Sequence, residues 1–186
     1  MPEKLRPIRL IAMDVDGVLT DGSMIFTGTG DVKVFNAKDG LGIRVARTAG
    51  LEIVWITGNK SPVVAKRAGD LDVSGIYQGA RMKTVAIADA MERWNLKQEE
   101  IAYIGDDLND IPAFSSAGVA IAVKDAAPEV QEAADFVTEG LGGRGAVREV
   151  IEQVLKAQGR WEEAVEMFMA ELQKEQFQGE AAEAVS

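Results

Sequence analysis

Two aspartates one residue apart, Asp14 and Asp16, end an apolar run in the stretch IAMDVDGVLTDG. Side chains alternate in extended chain, so both carboxylates project from the same face. Like charges that close repel, and burying either without a partner is costly. A cation, a shared proton or a backbone turn could each offset that cost. Further groups able to do chemistry follow apolar runs later in the chain: Thr57 and Gly58 after LEIVWI, Lys83 after YQGARM, and Asp106, Asp107 and Asp110 in IGDDLND. The chain has no histidine and no cysteine. Within it, disulfides, thiolate nucleophiles, Ser-His-Asp triads and His- or Cys-ligated metals are therefore excluded. Acid–base chemistry must use Asp, Glu, Lys or Tyr. A metal site must be built from oxygen, which favours a hard cation such as Mg²⁺.

These groups need elements to bring them together. RLIAMDV reads as a buried central strand, because it is continuously apolar and ends in turn residues. LEIVWITG, SGIYQG, IAYIGDD and VAIAV read as four more strands, and FVT at 136–138 as a sixth. Helical patterns fall between them at about 39–49, 62–71, 81–95, 110–117, 127–134 and 145–158. Pro62, Pro112 and Pro128 sit near helix starts, where proline is tolerated best. The stripe Val85, Ala88, Met91 and Trp94 is read as core. Such alternation predicts an α/β protein, a Rossmann-like three-layer, doubly wound parallel sheet with helices on both faces.

Between Thr20 and Asp39 the alternation breaks. Two short β-like runs flank TGTGD, a hairpin by its glycine punctuation, expected as a flap over about 21–37 that projects from the edge carrying the aspartate pair. Residues 1–159 are read as one core domain. Residues 160–186 are read as an amphipathic helix over about 160–175 followed by a disordered acidic end.

Ligands of parallel α/β sheets bind at the carboxyl ends of the strands. Asp14, Asp16, Thr57, Asp106, Asp107 and Asp110 fall at such ends, and Lys83 at a helix start. Clustered carboxylates without histidine fit Mg²⁺ with waters and a phosphate oxygen as further ligands. A hydroxyl, a helix N-terminus and a lysine would hold the other phosphate oxygens. The constellation asks for a phosphate monoester and Mg²⁺. Asp107 and Asp110 could equally cap the helix starting near Ile111.

DVDGVLTDG, ITGNK, Lys83 and IGDDLND, in this order, resemble the four signature motifs of the haloacid dehalogenase superfamily. The resemblance implies that Asp14 is the nucleophile, forming an aspartyl-phosphate, and Asp16 the general acid and base. It implies that Asp14, the backbone carbonyl of Asp16 and Asp106 hold Mg²⁺, and that Thr57 and Lys83 bind the phosphoryl group, with Asp110 supporting. Over about residues 8–165 the chain is similar to a branch of that superfamily acting on the 8-phosphate of 3-deoxy-D-manno-octulosonate, through FNAKDGLGIR, IYQG, YIGDDLND, GGRGAVREV and AQGRWEEA. By this likeness Asn36, Ala37, Lys38, Asp39 and Gly40 contact the sugar, and Arg44, Arg67, Lys38 and Arg144 are candidates to read its carboxylate, for which a guanidinium fork is suited. Asn59 departs from the branch, whose members carry arginine after TG, and from nine-carbon keto-deoxy relatives, which carry glutamate. The nine-carbon substrate therefore stays open beside the eight-carbon one. So does a non-catalytic accessory subunit. A phosphorelay receiver is disfavoured by GDDLND following Lys83.

The 25 residues from Gly58 to Met82 are used up by one helix and one short strand, so no cap domain is expected. The resemblance implies a homotetramer whose hairpins associate, with a neighbouring protomer completing each site. The 186 residues carry 20 Lys and Arg against 30 Asp and Glu, a net charge of −10. That acidity argues against nucleic acid and anionic membranes as partners. No apolar run spans a bilayer and MPEKLRPIRL lacks the apolar stretch of a signal peptide, so a cytoplasmic enzyme acting on a small sugar phosphate is expected.

Overall fold

The structure is a computed structural model that describes the backbone of residues 2–28 and 30–183 and the side chains of 3–28 and 30–174. After a short helix α1 (Pro2–Leu5), the central strand β1 (Leu10–Met13) is wholly buried, as its unbroken apolar run requires. The hairpin strands β2 (Ile25–Thr27) and β3 (Gly30–Val32) pair antiparallel, with Phe26 opposite Asp31. Thr29, in the turn expected between them, lies outside the described residues. The remaining chain alternates: α2 (Ala37–Thr48), β4 (Glu52–Thr57), α3 (Pro62–Asp70), β5 (Gly75–Gln78), α4 (Lys83–Arg93), β6 (Ile101–Gly105), α5 (Ile111–Phe114), β7 (Val119–Ala122), α6 (Pro128–Ala133), β8 (Phe136–Val137), α7 (Ala146–Ala157) and α8 (Trp161–Glu183).

Six strands form one parallel sheet in the order β5-β4-β1-β6-β7-β8. The chain winds outward from β1 through β4 to β5, then crosses back to β6 on the other side of β1. That reversal opens a crevice at the carboxyl ends of β1 and β6. Helices α1, α2, α7 and α8 pack together on one face, and α4, α5 and α6 on the other. This is the doubly wound α/β fold expected from the alternation. Among the described residues, the only strands between β1 and α2 are those of the hairpin, and residues 58–82 hold only α3 and β5, so these residues form no cap domain over the crevice.

Two elements differ from the sequence pattern. Residues Ala86, Ile87 and Ala90 form the buried face of α4, whereas Val85 is 61% exposed and Ala88 is exposed; Met91 and Trp94 are half-buried against the core. The helix is rotated because Lys83, at its first position, is buried toward the crevice, and 86, 87 and 90 share its face. The last helix continues to Glu183, where the sequence pattern ends it near 175, and Ala164 and Phe168 of its first half lie within the core. No helix among the described residues is long and apolar enough to cross a membrane.

Candidate active site

The end of β1 delivers Asp14 beside β6, its N–H donating to the Ile104 carbonyl at 3.0 Å. Its Oδ1 accepts from Val15 N at 2.6 Å and its Oδ2 from Lys83 Nζ at 2.7 Å. The chain then turns sharply at Gly17, whose φ is +93°. A Cβ there would stand 1.9 Å from Oδ2 of Asp106, so only glycine allows the two loops to approach this closely. Thr20, 1% exposed, accepts from the N–H groups of Gly17 and Gly22 and fixes the turn.

Asp110 organises the other side. It is fully buried and accepts four hydrogen bonds. Oδ1 accepts from Lys83 Nζ at 2.5 Å and from the Tyr103 hydroxyl at 2.6 Å, while Oδ2 accepts from the N–H groups of Asp106 at 2.9 Å and Asp107 at 3.3 Å. With both oxygens occupied, Asp110 is a support that aims Lys83 and holds the Asp106 loop. A Cβ on Gly105 would meet its side chain at 2.5 Å, which explains glycine there. Asp107 is exposed and accepts from Leu108 N at the start of a single 3₁₀ turn, the capping role open to it from sequence.

Oxygens of Asp14, Asp106 and Asp110 lie within 4.8 Å of one another. Such crowding shows in the protonation of Asp106 and Asp14. Burial, and then the charges of Asp14 and Asp110, push the Asp106 carboxyl up to about 8. Burial also pushes Asp14 up to about 6 against the pull of Lys83. For Lys83 burial acts to lower the pKa, but Asp14 and Asp110 outweigh it and leave the ammonium above its ordinary value. Oδ1 of Asp106 is buried and has no hydrogen-bond partner. An unpartnered carboxylate oxygen beside a second carboxylate, in a set made only of oxygen, fits a hard divalent cation. Asp106, with its unpartnered oxygen, and Asp14, whose oxygens accept one hydrogen bond each and keep a lone pair, are the side chains able to ligate it, whereas each oxygen of Asp110 already accepts two.

Thr57 ends β4 with its side chain buried, its Oγ1 accepting from Asn59 N at 3.2 Å. Asp16 is directed to the hairpin side, accepting from Asn59 Nδ2 at 3.1 Å and from Lys33 Nζ of the segment after β3. Lys33 was not among the residues singled out from sequence. In alternation it reads as one more exposed hairpin lysine.

The structure corrects part of the expected sugar-binding set. Asp39 is 1% exposed and caps α7, accepting from Gly145 N at 3.0 Å and Arg148 N at 2.8 Å, so its carboxylate is consumed within the fold. Arg44 stacks its guanidinium over Phe168 at 5.3 Å, on the face of α2 that meets α8 and away from the crevice. Arg67 packs against Gly40, where a Cβ would stand 2.5 Å from its Nη2, so this pair is a helix contact between α2 and α3. Asn36 is the N-cap of α2, accepting from Lys38 N and Asp39 N. Ala37 and Lys38 are exposed in the first turn of α2. Arg144 is exposed at the rim, 3.5 Å from Asp21 of the β1 loop.

The GGRG segment also has a structural explanation. Gly143 donates to Val18 O at 2.8 Å and Gly142 to Asp125 Oδ1 at 2.8 Å, and a Cβ on Gly142 would stand 1.7 Å from the Gly17 carbonyl oxygen. This segment buttresses the loop after β1. Asp125 had no sequence signal beyond its charge.

A doubly wound sheet that gathers an aspartate pair, a lysine and two further aspartates at its switch point, with no histidine, defines an oxygen-ligated phosphoryl-transfer site. Residues 72–151 match the family of haloacid dehalogenase-like hydrolases. The chain is 44% identical over 87% of its length to the 3-deoxy-D-manno-octulosonate 8-phosphate phosphatase KdsC of Escherichia coli (strain K12), covering 86% of that protein. It superposes on the crystal structure of the phosphatase of the same name from Moraxella catarrhalis, in complex with magnesium ion, phosphate ion and KDO, with a TM-score of 0.86 and 38% identity over 90% of this chain and 97% of that one. The cobalt-bound Haemophilus influenzae enzyme gives 0.83 and 39% over 85% and 93%. The chain belongs to the haloacid dehalogenase-like hydrolases, in the branch of these phosphatases.

Proposed function

We propose that the chain is a Mg²⁺-dependent phosphatase of 3-deoxy-D-manno-octulosonate 8-phosphate. The observation that carries the chemistry is the buried Asp14–Lys83–Asp110 chain beside the unpartnered oxygen of Asp106. Asp14 and Asp106, with the backbone carbonyl of Asp16, would hold Mg²⁺. Bound there, the ion neutralises the crowded carboxylates and lets an anionic phosphoryl group approach them.

In the first half-reaction the free oxygen lone pair of Asp14 attacks phosphorus in line. The Asp14–phosphorus bond forms as the bond to the sugar oxygen breaks, and Asp16 gives that oxygen its proton. Lys83 and Thr57 hold the phosphoryl oxygens, and Lys83 offsets the charge that Asp14 would otherwise feel from Asp110. In the second half-reaction Asp16 removes a proton from water, the water oxygen bonds to phosphorus, and Asp14 leaves as the carboxylate with inorganic phosphate.

The substrate is read at the rim. Exposure of Ala37 and Lys38, with the Asn36 cap, at the start of α2 and of Arg144 on the neighbouring loop supports these as the sugar-contacting candidates, whereas Gly40 is buried against Arg67. Asn59 matches neither the arginine of the eight-carbon branch nor the glutamate of the nine-carbon relatives, so the nine-carbon keto-deoxy acid is kept as second reading. The hairpin exposes Met24, Ile25, Phe26 and Val34, with Phe26 76% exposed. An apolar patch of this kind on a capless flap supports a homotetramer in which hairpins associate and a neighbour completes each site. The acidic charge and the small-molecule substrate support a cytoplasmic setting.

Phosphate release with Mg²⁺ across a panel of sugar phosphates tests the reading. Preference for the eight-carbon acid over nine-carbon acids and neutral hexose phosphates is expected. Preference for the nine-carbon acid would move the substrate and keep the chemistry, and no release from any ester would remove the enzyme.

A further inference from the structure

Lys33 is the one cation that the hairpin sends inward. Its neighbours Val32 and Val34 are 43% and 67% exposed, whereas the Lys33 side chain is 3% exposed. Its ammonium ends on Oδ1 of Asp16, whose side chain is 18% exposed. The other oxygen of Asp16 accepts from Asn59 Nδ2. Asp16 is thus gripped from two directions, by a hairpin that has no other reason to bury a charge and by the loop after β4. Burying an ammonium is costly unless a specific partner receives it, and here the partner is the group assigned proton transfer.

We infer that Lys33 is a positioning residue for the proton transfers of Asp16: together with Asn59 it fixes the carboxyl group at the leaving-group side of Asp14. This inference rests on the proposed phosphatase reading. Without Lys33, Asp16 keeps a single donor and can rotate about its side-chain bonds, so the carboxyl group is no longer held beside the departing oxygen. The hairpin then has a second role besides assembly, because seating the flap and aligning the acid are one contact.

A positioning role for an acid depends on the leaving group. A sugar alkoxide needs a proton as it departs, whereas a nitrophenolate does not. The kcat/KM value reports steps up to leaving-group departure, so water attack on the aspartyl-phosphate does not enter it. The experiment compares wild type, Lys33→Met, Lys33→Arg and Asp16→Asn on a sugar-acid or simple alkyl phosphate and on p-nitrophenyl phosphate, all with Mg²⁺. Asp16→Asn is expected to lose about 10²–10⁴-fold in kcat/KM on the alkyl ester and far less on the aryl ester. Lys33→Met should follow the same selectivity with a loss of at least about tenfold on the alkyl ester, at similar KM and unchanged oligomer mass. Lys33→Arg should recover part of that loss. Equal losses on both esters in Lys33→Met, or no loss on either, would overturn the inference and leave Lys33 a flap anchor or a bystander. Absence of selectivity in Asp16→Asn would instead remove the acid assignment, and the inference with it.

Discussion

Replacing Asp106 by asparagine should stabilise the metal-free protein while abolishing its response to Mg²⁺. The carboxyl is pushed up to about 8 in the fold, against about 3.9 in an unfolded chain. Between these values the folded state binds a proton that the unfolded state releases, so metal-free stability falls as pH rises from about 4 to about 8. At pH 7 the linkage amounts to at most about 4 kcal/mol. Asp106 is only partly buried, and screening by water brings the cost to about 2 kcal/mol. Asparagine keeps the shape and removes the charge that faces Asp14 and Asp110. For a chain of this length the gain corresponds to about 4–8 °C in Tm.

Thermal melts at pH 5 to 8, in EDTA and across a Mg²⁺ titration, read both effects. Wild type should lose Tm with rising pH in EDTA and regain it with Mg²⁺, by about 2.7 kcal/mol once the ion is a hundredfold above its Kd. Asp106→Asn should start higher, show a flatter pH profile and gain little from Mg²⁺. A variant less stable than wild type in EDTA would mean that Asp106 is held by something other than the cation. A variant stabilised by Mg²⁺ as strongly as wild type would place the ion elsewhere.

Asp14→Asn should abolish phosphate release while circular dichroism stays native, because the amide oxygen can still accept from Val15 N; measurable turnover would refute Asp14 as nucleophile. Asp39→Asn keeps one acceptor for two N–H donors of α7 and should cost about 1–2 kcal/mol in denaturant melts. Its KM for the sugar phosphate should not change, and a raised KM with unaltered stability would restore Asp39 to the substrate. Phe26→Glu places a charge in the exposed hairpin patch, so mass measurement in solution should show smaller assemblies and activity should fall with them; an unchanged mass would remove the hairpin from the interface.

What the sequence disclosed and what it hid divide along one physical line. Asp14, Thr57 and Asp106 were legible because strand ends of a parallel sheet converge by topology, and a continuous apolar run announces each strand. Lys83 could be placed at a helix start. Its burial could not, since the rotation of α4 depends on an ion pair with residues 69 and 27 positions away. The same limit explains the misplaced sugar-binding residues. Asp39, Arg44 and Arg67 lie on helix α2 or α3, but whether a helical side chain faces the crevice or a neighbouring helix is settled by packing that no local spacing encodes. Lys33 is the sharpest case. Local pattern makes it a solvated flap residue, and only the closure of the hairpin onto the β1 loop turns it toward Asp16. The division is specific to this architecture: the sheet topology brings Asp14, Thr57 and Asp106 to one edge, while the orientations of the hairpin and of the helix faces are set by long-range contacts.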